Sequence, residues 1–160
     1  MKPPRILIVL LLLILLTMAA PVRGEQAPAA SRVSFGQVVM PSGRILQVEI
    51  ADTPEAWARG YMFRATISDN EGMVFLMDRA DFHSFWMKNC KVPLDILWMD
   101  ETWRVVHLEQ NLPPCAKEPC PSYVPMQASR YVLEVRGGLA GREGLRLGSH
   151  IIYTGPPARP

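Results

Sequence analysis

Residues 94–108 read LDILWMDETWRVVHL and give the clearest structural signal in this chain of 160 residues. Two runs rich in β-forming residues, 94–99 and 103–108, flank the polar pair Asp100-Glu101. Short β-rich runs on either side of a polar turn are typical of a β-hairpin. The stretch therefore predicts two antiparallel strands.

Strand signals recur on both sides of this hairpin. Leu46, Val48 and Ile50 alternate with polar residues, which predicts a strand with one face in water. The wholly apolar run 73–77 predicts a strand that is covered on both faces. Further strands are predicted over residues 82–89, 131–135 and 150–153.

Two short helices are predicted between the strands. Thr53 suits the N-cap and Pro54 the first helical position, so one helix begins there and ends near Gly60. The second lies around residues 139–142 and ends at Gly144. Many short strands with only two short helices indicate a mainly β fold, an antiparallel sandwich or barrel.

The first 24 residues predict a cleaved secretory signal peptide. Lys2 and Arg5 precede the aliphatic run 6–16, and Val22-Arg23-Gly24 fits the cleavage rule of small residues. A run of 11 apolar residues is too short to cross about 30 Å of hydrocarbon. We therefore expect a periplasmic or secreted protein, and an uncleaved signal anchor is the alternative. The predicted organisation is a signal peptide over 1–24, a flexible lead-in over 25–34, one domain over 35–154 and a tail over 155–160.

Removal of this leader changes the charge of the protein. The chain has 17 basic and 15 acidic residues, and the leader holds three of the basic ones, Lys2, Arg5 and Arg23. The remaining 14 basic residues (17 minus 3) face 15 acids, a net charge of about −1. Nucleic-acid surfaces depend on clustered Lys and Arg, so we expect no nucleic-acid partner. We also expect no membrane contact after cleavage.

The three cysteines all follow the leader. Cys115 and Cys120 lie close together in the proline-rich segment 111–125, which predicts a long loop. In an oxidising compartment the pair predicts a disulfide, worth roughly 2 kcal/mol for so short a loop. Cys90 is left as a free thiol, which is more often a small buried hydrophobe than a reactive group.

The segment 84–89, SFWMKN, combines apolar and polar side chains at strand spacing. Phe85 and Met87 point one way, towards a core, while Trp86 and Lys88 point the other way. An indole beside an ammonium group can bind a polar ligand through ring stacking and hydrogen bonds. The alternative is an ordinary strand whose tryptophan is half covered by a neighbour.

Asp95 lies in a strand whose other residues are apolar on both faces. An ionised carboxylate on a dry face costs several kcal/mol unless a cation or several donors meet it. We therefore predict that Asp95 is paired, with Lys88, Asn89 and Arg64 as the expected partners. It is then either a buried polar clasp between strands or the floor of a pocket.

Several stretches of the chain match the pattern of one family. These stretches are 58–64 (ARGYMFR), 71–75 (EGMVF), 84–89 (SFWMKN), 92–96 (VPLDI), 113–115 (PPC), 119–120 (PC), 131–135 (YVLEV) and 144–148 (GLRLG). Over about residues 35–153 the chain is similar to DUF192, a family of small bacterial and archaeal proteins. The resemblance implies a compact jelly-roll-like β-sandwich with short helices and no established activity. The family pattern has Leu at Tyr61 and Thr at Cys90, and the second change removes a hydroxyl from the candidate site.

The leading functional hypothesis is a non-catalytic binding module for a small polar ligand, such as a carbohydrate or another cell-envelope component. A jelly-roll sandwich that presents an aromatic beside hydrogen-bonding groups resembles carbohydrate-binding folds, which is an analogy of fold alone. The sequence predicts no cofactor. The candidate ligand-binding residues are Trp86, Lys88, Asn89, Asp95, Arg59, Met62 and Arg64.

Two alternative functions use the residues around Cys90. The first is periplasmic handling of copper by His83, Met87 and Cys90, because these side-chain types suit a soft metal. The second is a thiol enzyme in which Cys90 is the nucleophile, His107 the base and Asp95 the residue that orients the base. No glycine-rich oxyanion loop accompanies Cys90, so the sequence favours a protein that is not an enzyme.

Overall fold

The computed structural model describes residues 33–158 of the protein. The predicted signal peptide over 1–24 and most of the lead-in over 25–34 lie outside these described residues. Within 33–158, no helix is both long and apolar enough to cross a membrane.

The described part of the chain is mainly β, with nine strands and two short helices. The strands are β1 (Ser34–Val39), β2 (Ile45–Ala51), β3 (Glu71–Asp81), β4 (Phe85–Trp86), β5 (Leu94–Met99), β6 (Val105–Leu112), β7 (Ser122–Tyr123), β8 (Ser129–Arg136) and β9 (Ile152–Thr154). The helices are α1 (Pro54–Arg59) and α2 (Leu139–Arg142). The predicted mainly β class with two short helices is confirmed.

Seven strands form one curled sheet, a half-barrel, in the order β6-β5-β8-β3-β2-β1-β9. Neighbouring strands are antiparallel except β2 and β3, which run parallel. A second, two-stranded sheet pairs β4 with β7, and β7 lies inside the segment 111–125 that the sequence predicts as a loop. The jelly-roll arrangement implied by the family resemblance stays a prediction.

The central hairpin forms as predicted, with β5 and β6 antiparallel and Met99 opposite Val105. The Asp100 carboxylate fixes the turn, because its Oδ1 accepts hydrogen bonds from the backbone N–H groups of Thr102 (2.8 Å) and Arg104 (3.0 Å). Trp103 has a positive φ of 63° and belongs to this turn. The second strand therefore begins two residues later than predicted.

Apolar residues on both faces of the main strands give the protein two cores, one on each side of the sheet. The first core includes Leu97 and Leu133, and α2 covers it with Leu139 and Ala140. The second core includes the residues Phe75, Trp98, Val132 and, from β4, Phe85. Helix α1 packs against the second core through Ala56 and Trp57. The two helices thus cover opposite faces.

Local sequence explains the bounds of α1 and the shortness of β4. The hydroxyl of Thr53 caps α1 by accepting a hydrogen bond from the backbone N–H of Ala56 at 3.2 Å. The predicted strand over 82–89 is wrong beyond β4, because Asn89 has a φ of 57° and the Cys90 N–H turns back to the Met87 carbonyl. The backbone turns at this left-handed residue, so β4 does not extend to Asn89.

Candidate functional site

Asp95 is fully buried and fully bonded. Its Oδ1 accepts hydrogen bonds from the backbone N–H groups of Asn111 (2.6 Å) and Gly138 (2.8 Å). Its Oδ2 accepts a third from the N–H of Ala140 at 2.7 Å. The prediction that Asp95 is paired is confirmed.

The predicted partners of Asp95 and its predicted place in the ligand site are both wrong. The donors are backbone amides, whereas Lys88, Asn89 and Arg64 make other contacts. Asp95 shares its face of β5 with Leu97, so it lies on the side of the first core. There it joins β5 to the end of β6 and the start of α2, which makes it a structural clasp.

A small recess opens on the other side of the sheet, against the second core. It is lined by the end of α1 and the turn after it (57–62), by β4, by Cys90 and by Glu134 of β8. Its volume is about 20 Å³, which is room for about one water molecule. The structure therefore brings together three of the predicted ligand-binding residues, Arg59, Met62 and Trp86.

The floor of this recess carries the acid Glu134, which is only 3 % exposed. The backbone N–H of Tyr61 donates a hydrogen bond to its carboxyl group. Its Oε2 has no hydrogen-bond partner among residues 33–158. Burial raises the pKa of Glu134 to about 8, although the Tyr61 amide and the charge of Arg64 oppose the rise. The carboxyl group is therefore mostly neutral at pH 7.

Sequence reasoning missed Glu134 because it alternates with Leu133 and Val135, as an exposed residue would. In the structure β8 lies between β5 and β3, and Glu134 stands opposite Ile96 and Met73. The only sequence signal of its burial is Val132, an apolar residue that shares its face.

Gly60 keeps the recess open above this carboxyl group. Its φ of 44° and ψ of −136° suit glycine alone. A Cβ atom at this position would stand 3.2 Å from the Oε2 of Glu134 and 3.4 Å from the ring of Phe75. Any larger residue would therefore fill the space that reaches the carboxyl oxygen.

Trp86 forms one wall of the recess and is 44 % exposed. The ammonium group of Lys88 lies over its indole, 5.0 Å from the ring centroid. Lys88 also forms an ion pair with Glu118 at 2.5 Å, and this pair lowers the pKa of the Glu118 carboxyl. The predicted pairing of an indole with an ammonium group is thus present at the surface.

The loop that carries Glu118 is closed by a disulfide between Cys115 and Cys120, as predicted. The loop binds the backbone beyond Trp86, because the Cys115 N–H donates to the Met87 carbonyl at 3.0 Å. The Asn89 N–H returns a bond of 3.1 Å to the Cys115 carbonyl. The cross-linked loop therefore fixes the wall of the recess.

Two of the predicted ligand-binding residues lie beside the recess without lining it. Asn89 donates a weak hydrogen bond through its Nδ2 to the Sδ of Met62 at 4.0 Å. Arg64 forms a two-pronged ion pair with Glu49, whose Oε2 is 2.5 Å from Nη2, and its guanidinium stacks on the ring of Tyr61. This pairing raises the pKa of Arg64 and occupies its donors.

Cys90 is a free, buried thiol beside the recess. Burial, together with the charge of Glu134, raises its pKa to about 12, so the reactive thiolate is strongly disfavoured. The proposed orienting residue, Asp95, is clasped on the other side of the sheet. His107 instead contacts Glu109 at 3.2 Å and the ring of Trp98. The three residues do not form a catalytic triad.

The copper alternative gains no support from the geometry. The Nε2 of His83 lies 2.9 Å from the carbonyl oxygen of Arg79, while Met87 is fully buried in the second core. Over residues 33–158, no three His, Cys, Asp or Glu side chains are grouped so that they could hold a metal ion.

The fold and the recess define a small, mainly β protein with a buried acid beneath an exposed tryptophan. The chain belongs to the DUF192 family, described as an uncharacterized ACR, whose model matches residues 37–153. The resemblance inferred from the motifs is thereby confirmed. The search of curated proteins returns no match.

Two crystal structures share the fold. A protein of unknown function from Novosphingobium aromaticivorans is 32 % identical with a TM-score of 0.68, over 79 % of this chain and 89 % of that one. A Sinorhizobium meliloti protein described as "a putative transcription regulator" is 26 % identical with a TM-score of 0.66, over 79 % of this chain and 98 % of that one. Both are similar to this chain over nearly all of their own length.

Proposed function

We propose that this protein is an exported, non-catalytic binding module that holds a small polar ligand, such as a carbohydrate or cell-envelope fragment, beside Trp86. One observation carries the proposal: Trp86 is exposed at the edge of a recess whose floor holds Glu134, and the Oε2 of this acid has no hydrogen-bond partner in the described part of the chain. A ring to stack on and a fixed hydrogen-bonding group are the two elements that polar ligands with apolar faces require.

The dimensions of the recess determine how such a ligand would lie. Pockets that enclose a whole small molecule measure about 300–1,000 Å³. The recess of about 20 Å³ admits a single polar group, so the rest of the ligand stays outside against Trp86. Arg59 stands at the same opening, is exposed and forms no ion pair with another described residue. We therefore expect weak binding at a surface.

Two features favour binding over catalysis. Burial keeps the Cys90 thiol protonated. The side chain of Asp95 already accepts hydrogen bonds from three backbone N–H groups. With 14 basic and 15 acidic residues after the predicted leader, the chain lacks the charge that nucleic-acid binding needs.

A fluorescence titration tests ligand binding. The emission of the wild-type protein is measured during titration with neutral and acidic oligosaccharides and peptidoglycan fragments, and a saturable change is expected. Trp86→Ala should abolish the change. Phe82→Ala, which removes another exposed aromatic outside the recess lining, should preserve it. No response across the panel, or an equal response in Trp86→Ala, would remove the proposal.

Export is tested separately, by sequencing the N-terminus of the protein from periplasmic and membrane fractions. The proposal expects the periplasmic protein to begin near Glu25, after the predicted cleavage site. An intact N-terminus in the membrane fraction would support the signal-anchor alternative instead. The disulfide between Cys115 and Cys120 is consistent with an oxidising compartment.

A further inference from the structure

We infer that Glu134 binds a hydroxyl group of the ligand, so that the recess selects uncharged, hydroxyl-bearing molecules such as saccharides over amines and acids. This inference rests on the proposed function and adds the residue and the chemical class that decide which ligand is taken. It assigns a ligand-binding role to an acid that sequence reasoning did not select.

The carboxyl group of Glu134 faces the recess, where a ligand group can reach it. More than nine-tenths of the residue is buried, it lines the recess, and its Oε2 lacks a partner in the described residues. A buried oxygen of this kind has lost its hydrogen bonds to water, and a ligand group that bonds to it restores one. Gly60 leaves the approach to that oxygen open.

Charge and hydrogen-bonding capacity then decide which group fits. The elements that pack around Glu134 present Arg59, Tyr61 and Arg64 from the α1 side and Cys90 after β4, while its strand neighbours Met73 and Ile96 carry no charge. An ammonium group would have to pass a rim that holds Arg59. A carboxylate would lose most of its hydration in a recess that has room for about one water molecule.

A hydroxyl group meets neither obstacle. It is uncharged, and it can both donate and accept a hydrogen bond, so it can pair with either oxygen of a protonated carboxyl group. The raised pKa of Glu134, about 8, means that the carboxyl group is protonated at neutral pH. In the binding mode that we infer, the protonated carboxyl group donates its hydrogen bond to the hydroxyl oxygen of the ligand. Binding should therefore weaken as the pH rises through that value and this donor is lost.

The test compares three trisaccharides, one neutral, one bearing amino groups and one bearing carboxylates. The neutral probe is triacetylchitotriose, the amine probe is its deacetylated form, and the acidic probe is trigalacturonate. Affinities for the full protein are measured by calorimetry or fluorescence at pH 6.5 and pH 9. With a pKa of about 8, the protonated fraction of Glu134 falls about tenfold over this range.

We expect triacetylchitotriose to bind best, and to lose about tenfold in affinity at pH 9. Glu134→Gln, which keeps a neutral donor and acceptor, should bind it equally at both pH values, and Glu134→Leu should bind it weakly at both. Glu101→Gln, at an exposed turn, should retain the wild-type pH dependence. The wild-type pH dependence needs no variant, so a misfolded variant does not remove the test.

Other results would overturn the inference in distinguishable ways. Binding that depends on Trp86 but is constant between pH 6.5 and pH 9 would leave the proposed function intact and remove the role of Glu134. Preference for the amine probe at pH 6.5, where its amino groups are partly charged, would show that the recess takes an ammonium group, and it would overturn the inference. Absence of binding by all three probes would overturn the inference, and the broader panel would then decide the proposed function.

Discussion

Replacing Glu134 by glutamine keeps the size and polarity of the side chain and removes its ability to ionise. Burial raises the pKa of this carboxyl group from 4.5 to about 8, a difference of about 3.5. One pKa unit corresponds to about 1.4 kcal/mol, so ionising Glu134 in the folded protein costs on the order of 5 kcal/mol. This cost lowers the free energy of unfolding once the pH is high enough to ionise Glu134 in the unfolded chain.

The sign of the effect follows from where the proton is held. Between pH 4.5 and about pH 8 the folded protein keeps the proton on Glu134 while the unfolded chain releases it. The folded state therefore binds more protons, and stability falls as the pH rises through this window. Above about pH 8 both states are ionised at this position, and the contribution becomes constant.

Urea unfolding of the wild type and Glu134→Gln between about pH 5 and about pH 9 measures this contribution. We expect the stability of the wild type, relative to Glu134→Gln, to fall by several kcal/mol over this range. Glu101→Gln serves as the control for an exposed carboxyl group and should follow the wild type. If the free energies of unfolding of the wild type and Glu134→Gln change with pH in parallel, the pKa of Glu134 is not raised in the folded protein, because Glu134 then titrates alike in the folded and unfolded states.

Three further predictions concern the clasp, the recess and the cross-linked loop. Asp95→Asn places a side-chain NH2 group where a carboxylate oxygen accepts from a buried backbone N–H, so the free energy of unfolding should fall by about 1–3 kcal/mol. An unchanged free energy of unfolding in urea would contradict the role of Asp95 as a clasp. Gly60→Ala fills the recess and should abolish the ligand-induced fluorescence change, at a backbone cost of about 1–3 kcal/mol; unchanged binding by the folded variant would exclude the recess. Replacing Cys115 and Cys120 by serine should lower stability by roughly 2 kcal/mol. It should also shift the part of the tryptophan emission that is lost in Trp86→Ala to the red, and no such shift would show that the loop does not fix this wall.

Much of the fold follows from local patterns in the sequence. The hairpin of β5 and β6 and the helix α1 are predicted because turn and cap residues act within a few positions of one another. The parallel pairing of β2 with β3 and the ribbon of β4 with β7 depend on segments far apart in the chain. The length of β4 depends on the left-handed conformation of Asn89, which the sequence does not reveal.

The sequence predicts some residues of the site correctly and others wrongly, because strand alternation shows which side chains share a face but not what covers that face. Strand alternation correctly placed Trp86 at the surface, and proximity in sequence placed Arg59 and Met62 near one opening. Alternation alone cannot say which face of the sheet another element covers. The predicted side of Asp95 is therefore wrong, and alternation gives no sign that Glu134 is buried, although β8 is covered on both faces.

The most direct measurement is the titration of the Glu134 side chain by carbon-13 NMR, with the carboxyl resonance assigned by comparison with Glu134→Gln. We expect a midpoint near pH 8 in the free protein, which would show a neutral acid beneath Trp86 at neutral pH. A midpoint near the ordinary value of 4.5 would contradict it, because a carboxylate that ionises so readily must already be solvated or paired.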